Sequence, residues 1–357
     1  MIDFTTLQGL TIPEGVVTQI TDASGRVLWA LSGGDEPAAI FEAEKKTKTT
    51  YAGETKYENE QFILLDIYPK KGGTVNVTYG GLTKTITDTS GAEEPNAQQV
   101  FFGTFNGVSD SVETPASGTL TIEGAYRGYG LGAYQQYANK EPDAYAYCIN
   151  GVVDLGNPVY IGAYMFYWLT DLALTELPSG LTSIGDYAFY GCENLALTEL
   201  PSGLTSIGDY AFYNCDDLVL TELPSGLTTI GESAFEVCDK INLRCLPEGV
   251  VSVGQNAFRM DYNTNGGFPY TSMNGVMFTL PTTIQNIGTK AFAYTVSSGA
   301  ATCYLGEIEI LAKVPPTATS PFGDYGIPTI IVPAGCGEAY KTAEGWSAYA
   351  DKIVEAS

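Results

Sequence analysis

LPSGLTSIGDYAFYGCENLALTE occupies Leu177 to Glu199, and LPSGLTSIGDYAFYNCDDLVLTE follows without a gap from Leu200 to Glu222. The copies are offset by 23 residues and differ at four columns: Gly191/Asn214, Glu193/Asp216, Asn194/Asp217 and Ala196/Val219. A tandem repeat of this fidelity predicts a solenoid, because each short unit can bury its apolar side only against a neighbour. Identical layers build a repeated surface rather than one catalytic pocket.

Outward from this pair, Ile161, Ile184, Ile207, Ile230 and Val253 keep the step, and Ile287 follows 34 residues later. Phe166, Phe189, Phe212, Phe235, Phe258 and Phe292 run in parallel. These two columns are expected to be the buried ladders. The extra residues fall between Phe258 and Leu280, where Arg259 to Gly267 is polar and rich in Gly and Asn, so a loop leaving the solenoid body is expected there. Within a layer, Leu195-Ala196-Leu197 and Leu204-Thr205-Ser206-Ile207 alternate as short strands do, and Pro201-Ser202-Gly203 supplies a turn. Asp209 to Tyr213 reads as one helical or 3₁₀ turn that points Ala211 and Phe212 inward.

The pattern LPxGLTxIGxxAFxxCxxL resembles the BspA-type leucine-rich repeats from Tyr160 to about Phe292. The tail from Ile331 to Ile353 is similar to the C-terminal caps of such arrays. Gly130-Leu131-Gly132-Ala133-Tyr134 echoes Tyr160-Ile161-Gly162-Ala163-Tyr164, so 124–157 reads as a degenerate N-terminal cap. Upstream, apolar runs near residues 38–43, 61–68, 74–79, 82–87, 100–105 and 118–122 predict a small antiparallel β-sandwich, with Gly80-Gly81 as its clearest hairpin turn. That module resembles immunoglobulin-like domains. Val16 to Ile20 and Arg26 to Trp29 flank a Gly-containing turn and predict a hairpin. Its wording, ITDASGRVLW, resembles N-terminal pieces of tail-associated proteins of phages and prophages of gut bacteria.

The expected chain is therefore mainly β with short helices. An attachment segment (1–31) and an Ig-like sandwich (38–123) precede a capped solenoid (124–312) and a C-terminal cap (313–357).

The 357 residues carry 41 acidic and 17 basic side chains, a formal charge of −24, which argues against nucleic acid and anionic membranes as partners. Histidine is absent, which removes Ser-His-Asp and Cys-His nucleophile systems and HEXXH metal sites. A carboxylate pair of the glycosidase kind remains open on composition. No basic segment leads into an apolar run at the start, so neither export nor membrane insertion is expected.

Tyrosine is the most suggestive side chain for contact. Tyr164, Tyr187 and Tyr210 form one column, and Tyr167, Tyr190 and Tyr213 another; aromatic faces with a polar tip suit sugar rings and protein partners. Glu176, Glu199 and Glu222 form an acidic stripe that is either solvated or bridged by a weakly bound Ca²⁺. Arg259, Asp261, Tyr262 and Asn263 mark the insertion. Cys192, Cys215 and Cys238 share a column and read as buried thiols.

No catalytic residue and no metal ligand is assigned. The expected function is non-catalytic recognition of a bacterial surface glycan or protein. A phage or prophage tail is the expected setting, with the N-terminal segment on other tail proteins and a homotrimer implied by that resemblance. The alternative is a BspA-like adhesin on a bacterial cell surface.

Overall fold

The computed structural model describes residues 19–21, 27–30, 38–47, 61–105, 108–131, 149–261, 277–295, 301–303, 305–323 and 326–357. Residues 32–37, a short polar stretch rich in Gly between the first two expected units, and Tyr262 and Asn263 lie outside them. Gln19–Thr21 pairs antiparallel with Val27–Ala30, Ile20 opposite Trp29, the hairpin that the alternation predicts.

Two sheets form the sandwich. One has the order Ile149–Asp154, Ala39–Glu44, Ser117–Gly124, Thr74–Tyr79, Leu82–Thr87. The turn joining its last two strands has positive φ at both Gly80 (55°) and Gly81 (81°), the geometry a type I′ hairpin demands and glycine supplies. The other sheet is built on Gln61–Pro69, flanked by Gln98–Phe105 and Tyr126–Leu131. Phe62, Ile63, Leu64, Leu65 and Ile67 are all buried, so the near-continuous apolar run is covered on both faces. The sheets meet through aromatic contacts, Tyr79 to Phe102 at 5.7 Å and Phe41 to Tyr129 at 5.2 Å between ring centres.

This second sheet does not end at the sandwich. Tyr126–Leu131 pairs antiparallel with Gln61–Pro69 on one side and parallel with Tyr160–Ile161 on the other. From there the sheet continues in parallel through Ser183–Ile184, Ser206–Ile207, Thr229–Ile230, Ser252–Val253, Asn286–Ile287 and Thr317–Ala318, twelve strands in all. The cores join as well, with Phe41 and Phe166 6.2 Å apart. Tyr126–Leu131, within the 124–157 expected as the N-terminal cap, covers the first layer and is at the same time a strand of the sandwich sheet. A free-standing immunoglobulin-like module would close both sheets on itself; here one sheet is open and is completed by the solenoid.

The Ile and Phe columns are buried as predicted. Consecutive Phe rings stack face to face, 5.1 to 5.7 Å apart from Phe166 to Phe292. One detail differs from expectation. Leu195 and Leu197 are buried, but 195–197 is not a strand, since backbone links there amount to bonds such as Val219 N–H to Leu197 O, too sparse for a ladder. A ladder forms at this corner only later, where Met277–Leu280, Glu307–Ile310, Thr329–Val332 and Ile353–Glu355 align in parallel. The segment 209–213 is a single turn and no more: the Tyr213 N–H closes it on Tyr210 O, while Tyr210 sits at φ 55° and the Phe212 N–H donates to Ala234 O of the next layer.

The insertion begins as a strand rather than a loop: Met260–Asp261 pairs with Tyr294–Thr295 in a small three-stranded sheet. At the far end, helix Gly337–Thr342 and a 3₁₀ turn at Ser347–Tyr349 cover the last layers. Trp346 and Tyr340 are fully buried there, donating to Pro316 O and Ala312 O.

Layer spacing is set by a glycine column. A Cβ at Gly208 would lie 2.4 to 2.7 Å from Asp186 and Gly185 atoms, two of the three being backbone, and Gly185, Gly231, Gly254 and Gly288 are similarly crowded. Gly203, by contrast, has its nearest neighbour at 3.6 Å. Gly208→Ala should therefore lower stability by about 1–3 kcal/mol through overpacking against backbone that cannot yield. Gly203→Ala should stay within roughly 0.5 kcal/mol. Paired denaturant melts of the two variants check this.

Candidate functional site

The tyrosine columns exist, and they use most of their ring faces on one another. Tyr164, Tyr187 and Tyr210 stack at 4.9 and 4.8 Å with planes within 7°, and Tyr167, Tyr190 and Tyr213 at 4.8 and 4.6 Å. Within each layer the two rings touch at 5.7 to 5.9 Å. Each ring of the first column stands on a left-handed backbone residue, φ 55° to 57°, which costs a non-glycine residue about 1–2 kcal/mol. Stacking offsets that strain. Burial raises the phenols of Tyr164 and Tyr210 above their ordinary value, which keeps them neutral hydrogen-bonding groups. Tyr210 donates its hydroxyl to Glu232 at 3.2 Å.

Both columns end in polar residues. Ser233 and Asn256 continue the first, and Glu236 and Arg259 the second. Glu236 is buried, 3.1 Å from Arg259, so the insertion residue Arg259 serves an ion pair at the foot of the second tyrosine stack. Asp261 lies in the Met260–Asp261 strand beyond it. Glu176, Glu199 and Glu222 are exposed in successive layers at the Leu-Pro corner, away from the tyrosines in sequence position. Among the described residues, no three His, Cys, Asp or Glu side chains converge as a metal site would need. The Cys192, Cys215 and Cys238 thiols are buried, and each donates to a carbonyl of a preceding layer, Phe166, Phe189 and Phe212.

Sequence reasoning missed a groove of about 600 Å³ along the outer face of the parallel ladder. Ser183, Ser206 and Thr229 line it with Asp186, Asp209 and Glu232, and the crowded glycines form the floor between them. The carboxylates are tied layer to layer: Asp186 accepts the Asp209 N–H at 2.8 Å, and Asp209 accepts the Glu232 N–H at 2.7 Å. Burial, with Asp209 close by, raises the Asp186 carboxyl above its ordinary value. The signal lay in the SxGD and TxGE phrases, which the Ile ladder between them obscured. At the head of the groove Tyr160 meets Tyr68 of the sandwich edge to face at 4.8 Å, so the two units share this end.

Trp168 was missed as well. It is 41% exposed at φ 56°, in the column of Gly191, Asn214 and Val237.

One further column carries chemical strain. Glu193, Asp216 and Asp239 follow one another through the layers, and Asp216 Oδ1 is buried without a hydrogen-bond partner. Burial, then Asp239 and Glu193, push the Asp216 carboxyl up to about 6. The folded chain thus favours the protonated acid. Stability from this group is present below the unfolded value of about 3.9 and is lost as pH rises through about 6. Asp216→Asn should raise the melting temperature at about pH 8 and leave it unchanged near pH 4, as read by thermal melts across that range.

The model of the BspA type leucine rich repeat region matches residues 159–297 in six copies. Among solved structures the chain is similar to a leucine-rich repeat protein of T. pallidum, at 23% identity over 55% of this chain and 76% of that one (TM-score 0.28). A leucine-rich repeat protein of Bacteroides ovatus is 18% identical over 65% and 71% of the two chains (TM-score 0.30). A leucine rich cell surface protein of Faecalibacterium prausnitzii is 18% identical over 48% and 65% (TM-score 0.26). No curated protein matches the chain. Over residues 159–297, then, the fold is that of BspA-type leucine-rich repeats.

Proposed function

We propose that the chain is a non-catalytic recognition protein that meets a bacterial surface through its solenoid. The observation that carries this reading is the groove, which offers the same hydroxyl and carboxylate in layer after layer from Ser183 to Glu232. Repetition of one weak contact along a rigid frame favours an extended ligand held at many points. The Asp186 and Asp209 carboxylates are tied to backbone amides of the following layer and so are pre-positioned before binding.

For the setting, we favour a phage or prophage tail on the wording of residues 16–29, with the hairpin of Gln19–Thr21 and Val27–Ala30 as the element that attaches to other tail proteins. A bacterial cell-surface adhesin is the alternative that BspA-type repeats suggest. Antibody labelling of lysates against intact cells separates the two.

Binding of the fluorescently labelled protein to intact gut-bacterial cells and to their extracted envelope polysaccharide tests the recognition itself. Saturable binding without release of reducing sugar is expected. The double variant Asp186→Asn, Asp209→Asn keeps acceptors for both amide bonds and should bind about tenfold or more weakly. Equal binding by the variant removes the groove from the reading, and product release replaces recognition by hydrolysis.

A further inference from the structure

The two near-identical repeats differ at Gly191 and Asn214, and the structure explains this difference. The Trp168 ring lies directly on Gly191. A Cβ there would sit 2.7 Å from Trp168 Cε3 and 2.8 Å from Cδ2. Any side chain at 191 would lift the indole off the layer. Gly191 is therefore the partner of Trp168, and the next layer, with no tryptophan above it, carries Asn214.

The indole is held as a platform. Tyr190 and Tyr167 meet it edge to face at 5.8 and 6.4 Å, and the Trp168 backbone N–H donates to the Tyr190 carbonyl, which fixes the chain beneath the ring. The inner face rests on Gly191, and the ring is still 41% exposed, in a backbone conformation that glycine and asparagine take at the same position in the next two layers. Polar groups follow at the next step of the stack, where Asn214 donates to Glu193 at 3.3 Å. Among the described residues, the other exposed large apolar side chains, Val112, Val219, Met277, Val314 and Val354, are in other columns or elements.

We infer that Trp168, with Glu193 and Asn214 in the two layers that follow, is a binding subsite for a neutral pyranose residue of a surface glycan. A flat, partly exposed apolar ring suits the C–H face of a sugar, and the amide and carboxylate further along the same side suit hydroxyls of the saccharide. The polar pair of Asn214 and Glu193, 3.3 Å apart in the layers that follow, favours a hydroxylated ligand over an apolar protein segment. The chain's charge of −24 disfavours acidic sugars. The subsite lies outside the groove, so it stands or falls separately from the Asp186 and Asp209 reading.

The test uses the full chain and the hexaoses of glucose, mannose, galactose and N-acetylglucosamine, with a hexamer of galacturonic acid as the anionic control. At least one neutral hexaose should shift tryptophan emission saturably, and the anionic hexamer should not. Trp168→Ala should weaken that binding about tenfold or more, and Trp168→Phe should weaken it less. Gly191→Asn, which copies the layer below, should also weaken binding by displacing the indole. Melting temperatures of all three variants identify any loss that is merely unfolding, and the Asp186→Asn, Asp209→Asn variant should retain the emission shift. The proposal is overturned if no neutral hexaose shifts the emission, if folded Trp168→Ala binds unchanged, or if the galacturonic acid hexamer binds equally well.

Discussion

A layer of 23 residues buries its Ile, Leu and Phe side chains against the layers on either side and has no core of its own. Everything else in the molecule follows from that dependence. Backbones must come close enough for the Phe rings to stack, which is why a glycine recurs beside the ladder wherever a Cβ would strike the preceding layer's backbone. The two ends must be covered, since an open end would leave a strip of core in water. One cover is a strand borrowed from the sandwich; the other is the packed group of Phe322, Tyr340, Trp346 and Tyr349. Neither cover is itself a repeat.

The same stacking decides which side chains are free for contact. Two tyrosines per layer look like an exposed aromatic surface when written as columns. In three dimensions each ring finds its neighbour at stacking distance, and the columns become part of the frame. Contact chemistry shifts to what stacking leaves over: the hydroxyl and carboxylate rows beside the strands, and an indole that has no counterpart in the next layer.

The period, the Ile and Phe ladders and the thiol column were legible in the sequence because each rests on identity at a fixed step, which survives without knowledge of the fold. The sandwich strands were legible from alternation, and Gly80-Gly81 from turn chemistry. What could not be read was pairing between distant segments. The echo of 160–164 in 130–134 put a cap beside the first layer, but nothing local says that the other edge of Tyr126 to Leu131 bonds to residues 61–69. The turn at 209–213 was legible, but not its backbone: the Tyr210 and Phe212 N–H groups are satisfied by the next layer, and Tyr210 can then leave the helical region. The groove escaped notice because Ser206 and Asp209 are ordinary surface residues singly. Gly191 was visible as one of four changes between the copies, but its cause sits in a different repeat, 23 positions earlier.

The uninterrupted sheet from sandwich to solenoid has a mechanical consequence. Two domains joined by a tether swing freely, and each binding event must then pay to fix their angle. Here the junction is a row of backbone hydrogen bonds with a shared aromatic core. A load taken up by the solenoid reaches the sandwich as torque through a stiff lever. Copies mounted side by side would point their grooves along one bearing, already aligned before any of them meets a surface.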